Sequence, residues 1–129
     1  MIGIDTSAIL AIVLDEPEAS ACIAAIDKED RLIMSSGTVA ETLIVAGRRA
    51  VGAEALRLIE GLAVEIVPVS AASARRMADA YAIWGKGVHP ASLNLGDCFA
   101  YELAKARDCP LLYVGNDFSR TDIVSALNG

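Results

Sequence analysis

Short apolar runs alternate with longer segments of helical character along this chain, and this alternation limits the possible folds more than any other feature. Each run is rich in Ile, Leu and Val and has the length of a single buried strand. The runs occupy residues 1–5, 31–35, 64–69 and 111–114. Strands that alternate with helices form a parallel sheet with right-handed crossovers. The alternation therefore predicts an α/β fold, in which helices flank a central parallel sheet.

Capping and turn residues divide the rest of the sequence into helices. Helices are predicted at residues 8–14, 18–28, 39–50, 53–62, 70–84 and 95–107, and a short last strand at residues 121–124. Ser92 or Asn94 is expected to cap the last helix. Pro68 lies late in the third apolar run and predicts an edge strand, because proline cannot donate a ladder hydrogen bond.

The length of 129 residues fits one domain that spans residues 1–129. No apolar run approaches the roughly 20 residues that a membrane helix needs, and the N-terminus lacks the basic region of a signal peptide. We therefore expect a cytoplasmic protein without membrane association. Cys22, Cys98 and Cys109 are expected to stay reduced in such a compartment.

The net charge of −6 and the pI of about 4.6 argue, taken alone, against a nucleic-acid-binding protein. A cluster of catalytic acids would contribute to this negative charge, and a bound metal would neutralise part of it locally. Contacts to a nucleic acid would then depend on local basic groups. The candidates are Arg48, Arg49, Lys86, Arg107 and Arg120.

Four acids, Asp5, Glu41, Asp97 and Asp117, lie beside predicted strand ends or helix starts. In a parallel α/β sheet these points gather at one edge, where ligands bind. Carboxylates gathered there repel one another unless a cation joins them, and Mg²⁺ and Mn²⁺ prefer carboxylate oxygens. The pattern predicts a metal site of one or two ions, which suits phosphodiester hydrolysis.

Each acid, taken singly, also fits a purely structural role. Asp5 can cap the helix that follows it, and Asp117 can belong to an ordinary turn. Glu41 fits a capping box begun by Thr38, and Asp97 suits the first turn of its helix, where negative charge is favourable. The common level of the four acids in the predicted sheet favours the metal site.

Other enzymatic mechanisms fit the sequence less well. His89 is the only histidine, which excludes hydrolysis by a histidine pair, and nothing places the Cys98 thiol beside it as a Cys-His hydrolase requires. A receiver domain needs a phosphoacceptor aspartate after the third strand, and residues 67–70 contain none. A dehalogenase-type phosphatase needs a second acid in the segment that begins at Asp5, and residues 6–7 are not acidic.

Met77, Tyr81 and Trp84 recur at helical spacing and predict packing in the core or across a dimer. This stripe, with the apolar content of 54%, keeps a second hypothesis open. The chain would then be a non-catalytic, dimeric partner-binding module.

Four stretches of the sequence resemble PIN-domain ribonucleases, specifically VapC-type toxins of bacterial type II toxin–antitoxin pairs. They are IGIDTSAIL at residues 2–10, SGTVAE at 36–41, LGDCFAY at 95–101 and VGNDFSRTD at 114–122. They occur in the order of the family and cover essentially the whole chain.

The resemblance implies a single PIN-like domain whose parallel sheet has the strand order 3-2-1-4-5. It implies that Asp5, Glu41, Asp97 and Asp117 bind Mg²⁺ or Mn²⁺ and are the catalytic residues. Weaker supporting or substrate-binding roles fall on four further residues: Thr6, Ser7, Asn116 and Asp122.

The implied activity is that of an endoribonuclease toxin, which cleaves RNA phosphodiesters with a metal-activated water and leaves 5′-phosphate and 3′-hydroxyl ends. The implied partners are a second copy in a homodimer and a cognate antitoxin, whose tail reaches the acidic cleft. The alternative is a non-catalytic dimeric partner-binding module of the same fold.

Overall fold

The four apolar runs pair into one parallel sheet, as predicted. The computed structural model describes residues 1–127 and places helices between the strands. In chain order the elements are β1 (Ile2–Ile4), α1 (Thr6–Val13), α2 (Ala19–Asp27), β2 (Leu32–Ser35), α3 (Ser36–Arg48), α4 (Gly52–Gly61), β3 (Glu65–Val67), α5 (Ala71–Trp84), α6 (Leu95–Arg107) and β4 (Leu111–Leu112).

The strand order is β3-β2-β1-β4, and all three pairings are parallel. β1 is central, with Gly3 paired to Ile33 on one side and to Leu111 on the other. This order agrees with the first four strands of the implied 3-2-1-4-5 sheet. β3 is at an edge, as Pro68 predicted.

The predicted fifth strand at residues 121–124 is wrong in extent. A single parallel bridge joins Ser125 to Leu111, on the outer side of β4 where a fifth strand would lie. The preceding backbone is held in a local turn, because Thr121 donates both its N–H and its hydroxyl to the carbonyl of Phe118. The Thr121 N–H is therefore unavailable to a longer ladder.

Two apolar cores cover the two faces of the sheet. Successive strand residues point to opposite faces, so Leu112 joins the core formed with α1, α2 and α4, whereas Leu111 joins the one formed with α5 and α6. Burial of both faces accounts for the continuous apolar sequence of the strands. In the predicted stripe, Met77 is buried in the second core and Trp84 packs against it, whereas Tyr81 is 41% exposed.

The helix starts agree with the sequence prediction at two of three critical points. Asp5 caps α1, and Asn94 caps α6. The predicted capping box of Thr38 and Glu41 is wrong, because Ser35, the last residue of β2, caps α3 by accepting from the N–H of Gly37. Glu41 therefore lies inside the helix, where its carboxylate is free to serve another purpose.

Two further predictions concern thiols and membranes. The cysteines at positions 22, 98 and 109 are free thiols. Among residues 1–127, no helix is both long and apolar enough to cross a bilayer.

Candidate functional site

Asp5 lies at the carboxyl end of the central strand and is 5% exposed. Its Oδ2 accepts hydrogen bonds from the Ser7 N–H at 3.2 Å and from the Ser7 hydroxyl at 2.7 Å. The same hydroxyl oxygen accepts from the N–H of Val114, just after β4, at 2.9 Å. Ser7 therefore has a supporting role, because it fixes the Asp5 carboxylate between two adjacent strand ends.

Glu41 is oriented by a hydroxyl from another helix. The Thr6 Oγ1 on α1 donates to Glu41 Oε1 at 2.6 Å and lies 2.9 Å from the Thr42 hydroxyl. The Thr42 hydroxyl in turn donates to the Thr38 carbonyl at 2.7 Å. Neither Thr38 nor Thr42 is exposed at all, so this polar contact between α1 and α3 is enclosed by the fold.

Asp97 occupies the first turn of α6 and is 8% exposed. Its Oδ2 accepts from the backbone N–H of Asn94 at 3.0 Å, and the Asn94 side chain accepts from the N–H of Asp97 at 2.9 Å. This reciprocal capping box fixes the direction of the carboxylate relative to the helix. The structural role and the proposed functional role of Asp97 are therefore compatible.

Asp117 lies in the turn after β4 and is exposed to solvent. Its neighbour Asn116 is also exposed, and the Asn116 carbonyl accepts from the N–H and the hydroxyl of Ser119. Of the four acids, Asp117 is thus the one on the open side of the site.

The electrostatics of the acids indicate that they lie together. The pKa of Asp97 is raised to about 7, mainly by burial and in addition by the charges of Asp117, Asp5 and Glu41, while the hydrogen bond from Asn94 opposes the rise. Burial likewise raises the pKa of Asp5 to about 6, with Glu41 adding to the effect and the hydrogen bonds from Ser7 opposing it. In the part of the chain that the structure describes, no lysine or arginine forms an ion pair with any of these acids.

Two glycines allow α3 and α6 to approach closely at this site. A methyl group added at Gly37 would overlap the ring of Phe99, and one added at Gly96 would overlap the carboxylate of Glu41. Glu41 therefore lies against the first turn of α6, beside Asp97. Gly96 was not among the residues predicted for the site, although a glycine in the first turn of a predicted helix is a usable signal, since glycine disfavours helices.

Asp122 is directed elsewhere. Its Oδ1 accepts from the Tyr101 hydroxyl at 2.7 Å, and its Oδ2 lies 3.0 Å from Lys105 Nζ. Burial acts to raise the pKa of Asp122, but the hydrogen bonds from Tyr101 and Lys105 and the charge of Lys105 outweigh it, so that the pKa is lowered. Asp122 thus joins the C-terminal segment to the outer side of α6.

The Cys98 and His89 pair gains no support from the structure. Burial, with the nearby charge of Asp97, raises the pKa of Cys98 to about 11, which disfavours the nucleophilic thiolate. His89 Nδ1 accepts from the N–H of Ala91 at 2.9 Å, and its ring packs edge-on against Trp84. His89 is therefore engaged in closing its own loop.

The donor chemistry of the acid cluster fits a hard divalent cation. Within residues 1–127, no three His, Cys, Asp or Glu side chains stand in a ready-made coordination shell. Mg²⁺ does not require one, because it keeps several waters and binds through one or two carboxylates. Buried carboxylates with raised pKa values and no cationic partner would be stabilised by such an ion.

Comparison with known proteins decides the family. The PIN domain model matches residues 2–124. The chain belongs to the PIN-domain family. It is 42% identical over 125 residues to ribonuclease VapC30 of Mycobacterium tuberculosis, with 95% of each chain covered. It is 43% identical over 129 residues to ribonuclease VapC28 of the same species, with 97% of each covered.

Solved structures agree on the fold. The chain superposes with a TM-score of 0.79 on Mycobacterium tuberculosis VapC20, described as a Sarcin-Ricin loop cleaving toxin, at 15% identity, covering 96% of this chain and 97% of that one. It superposes with a TM-score of 0.71 on a toxin–antitoxin complex from Klebsiella pneumoniae, at 17% identity and 98% coverage of both. The predictions of a PIN-like α/β fold and of a VapC-type PIN ribonuclease are confirmed.

Proposed function

We propose that this chain is a metal-dependent endoribonuclease and the toxin of a toxin–antitoxin pair, acting in the cytoplasm. Asp5, Glu41, Asp97 and Asp117 would hold Mg²⁺ or Mn²⁺ and form the catalytic site. The observation that carries the proposal is the placement of these acids at one sheet edge, where Glu41 lies against the first turn of α6 beside Asp97 and none of the four forms an ion pair within residues 1–127. Identity of 42% to a VapC ribonuclease over nearly the whole chain supports RNA as the substrate.

The residues of the chain have separable tasks in this proposal. A divalent ion, when bound, supplies positive charge that activates water and stabilises the leaving oxygen of a phosphodiester. Ser7 fixes the Asp5 carboxylate, Thr6 fixes that of Glu41, and the Asn94 N–H fixes that of Asp97. These hydrogen bonds orient oxygen donors before any ligand arrives, which reduces the cost of organising the site.

The first test is cleavage of a structured RNA by purified protein, with Mg²⁺ or Mn²⁺ and with excess EDTA. Cleavage is expected only with the metal, and Asp5→Asn is expected to abolish it without loss of the folded state. Glu60→Ala, which removes an exposed acid on α4, serves as the matched control and should cleave normally. Equal cleavage in excess EDTA would refute metal dependence.

The test also separates the alternative function. A non-catalytic dimeric partner-binding module would show neither cleavage nor stabilisation by Mn²⁺. A rise in melting temperature with Mn²⁺ in the wild type, absent in Asp5→Asn, supports the enzyme.

An apolar groove between α5 and α6 supports the proposed protein partners, a cognate antitoxin and a second copy. The groove has a volume of about 670 Å³, and Met77, Leu95 and Phe99 are among its lining residues. Leu95 is 65% exposed and precedes the site residue Asp97 by two positions, so a bound chain would lie near the acids. Leu95→Glu should weaken self-association, measured by light scattering, or inhibition of cleavage by the antitoxin. If the substitution changes neither, this groove is not the site of either partner.

A further inference from the structure

Gly96, the second residue of α6, stands directly before Asp97 in the sequence and directly against Glu41 in space. A Cβ at position 96 would overlap Glu41 Oε2 and lie 3.1 Å from Oε1. Gly47 in α3 and Gly61 in α4 differ, because a Cβ at either would meet no atom of residues 1–127 within 4 Å. The space beside Gly96 is therefore occupied by one particular side chain, the acid on the facing helix.

The backbone of Gly96 does not require glycine. Positive φ angles occur at Gly87 and Gly115, and position 96 is not among the described residues with this conformation. Glycine within a helix is less stable than alanine. The approach of the Glu41 carboxylate is the feature of the structure that accounts for glycine here.

We propose that Gly96 is a positioning residue of the metal site, whose missing side chain lets the Glu41 carboxylate reach the first turn of α6 beside Asp97. The inference rests on the proposed function, since it concerns how one of the proposed metal ligands is placed. Thr6 on α1 donates a hydrogen bond to the other carboxylate oxygen, Glu41 Oε1, at 2.6 Å. The carboxylate is thus confined between a hydroxyl on α1 and the bare backbone of α6.

A methyl group at position 96 would displace the acid rather than the helix. The overlapping atoms are the far end of a flexible glutamate side chain, which can rotate away at lower cost than backbone can shift. Gly96→Ala is therefore expected to fold, with a melting temperature in EDTA equal to or above that of the wild type. Its metal site, however, would lose a correctly placed carboxylate.

The test measures Mn²⁺ binding by isothermal titration calorimetry and by thermal shift. Gly96→Ala is expected to bind Mn²⁺ about tenfold to a hundredfold more weakly than the wild type, the usual loss when the support of a metal ligand is disturbed. Gly47→Ala is the matched control, because it makes the same change on the helix that carries Glu41 but faces open space. It should bind Mn²⁺ as the wild type does.

A second variant tests the direct contact. Glu41→Asp shortens the acid by one methylene and withdraws it from position 96. If the overlap is the cause, Gly96→Ala should weaken Mn²⁺ binding much less in the Glu41→Asp background than in the wild type. If Gly96→Ala weakens Mn²⁺ binding by the same factor in the Glu41→Asp background as in the wild type, the inference is overturned.

The outcomes distinguish this inference from the proposed function. A wild type that does not bind Mn²⁺ would remove the metal site itself. A wild type that binds while Gly96→Ala binds equally well would remove only the role of Gly96. Loss of cooperative unfolding in Gly96→Ala would also overturn it, because the inference requires Glu41 to move and the helix to remain.

Discussion

Asp97 and Glu102 lie on the same helix, α6, and are equally buried, each with 8% of its surface exposed. Glu102 Oε1 accepts from the Arg76 guanidinium at 2.8 Å and 3.2 Å, an ion pair that spans α5 and α6. Asp97 instead accepts a backbone N–H and faces the charges of three other acids. Burial of an acid is therefore common to both positions, and what distinguishes Asp97 is that no Lys or Arg among the described residues forms an ion pair with it.

The difference separates a structural acid from a functional one by a physical criterion. A buried carboxylate needs a compensating charge or it destabilises the fold. Arg76 supplies that charge for Glu102 within the chain. At Asp97 the proposed metal ion would supply it, which would link the stability of this end of the helix to occupancy of the site.

Conversion of each acid to its amide should produce the largest contrast in activity. Asp97→Asn keeps the size of the side chain but removes an acid proposed to hold the metal, so initial rates of RNA cleavage are expected to fall at least about a hundredfold. Glu102→Gln is the matched control and should leave the rate unchanged. If the rate of RNA cleavage falls similarly in both variants, the lack of an ion pair does not distinguish an active-site acid from a structural one.

The stability of Glu102→Gln should fall. The change leaves Arg76 without its carboxylate partner, and loss of a charged hydrogen bond costs roughly 1.5–3 kcal/mol when buried. Arg76 is 52% exposed, so solvent screening reduces the expected loss to about 1 kcal/mol. Urea unfolding in EDTA checks this, and an unchanged free energy of unfolding would show that the ion pair contributes nothing.

Asp97→Asn should change stability in the opposite direction. The pKa of Asp97 is raised in the folded state, so ionisation opposes folding once the pH rises above the unfolded pKa. Loss of a negative charge at a helix N-terminus costs about 0.5 kcal/mol, which is smaller than the relief of burial and repulsion. At pH 8 in EDTA we expect a net gain of about 1 kcal/mol.

Added Mn²⁺ provides the control for this gain. The ion should stabilise the wild type and not Asp97→Asn, because ligand binding to the folded state adds to its stability. The order of the two melting temperatures is then expected to reverse. A metal-free Asp97→Asn that melts below the wild type would show that Asp97 is a structural acid like Glu102.

The sequence predicted those parts of the site that depend on local pattern. Apolar runs ended by Asp5 and followed by a capped helix placed that acid at the sheet edge, and Asn94, one of the two caps expected for α6, is the observed one. The same kind of reasoning was wrong at Glu41, since Ser35 rather than Thr38 is the N-cap of α3. A local pattern could not decide between two competing caps separated by one helical turn.

Tertiary contacts account for what sequence reasoning missed. The role of Gly96 depends on a helix that is distant in sequence, and the bridging role of Ser7 depends on the position of Val114. The shortened fifth strand has the same origin, because residues 116–122 form turns and Asp122 is drawn to Tyr101. The resemblance that grouped Asp122 with the site could not show which way its side chain points.

The comparison of Asp122 with Asp97 has the smallest expected effect. The family resemblance groups Asp122 with the site acids, but Asp122 forms an ion pair with Lys105. The Tyr101 hydroxyl accepts from Trp84 Nε1 at 2.9 Å and donates to Asp122 at 2.7 Å. Tyr101→Phe removes both bonds, and because Asp122 is exposed the loss of stability should stay near 1 kcal/mol or below. RNA cleavage and Mn²⁺ affinity should be unchanged, whereas an Asp122→Asn protein that lost Mn²⁺ binding would place Asp122 in the site despite its pairing with Lys105.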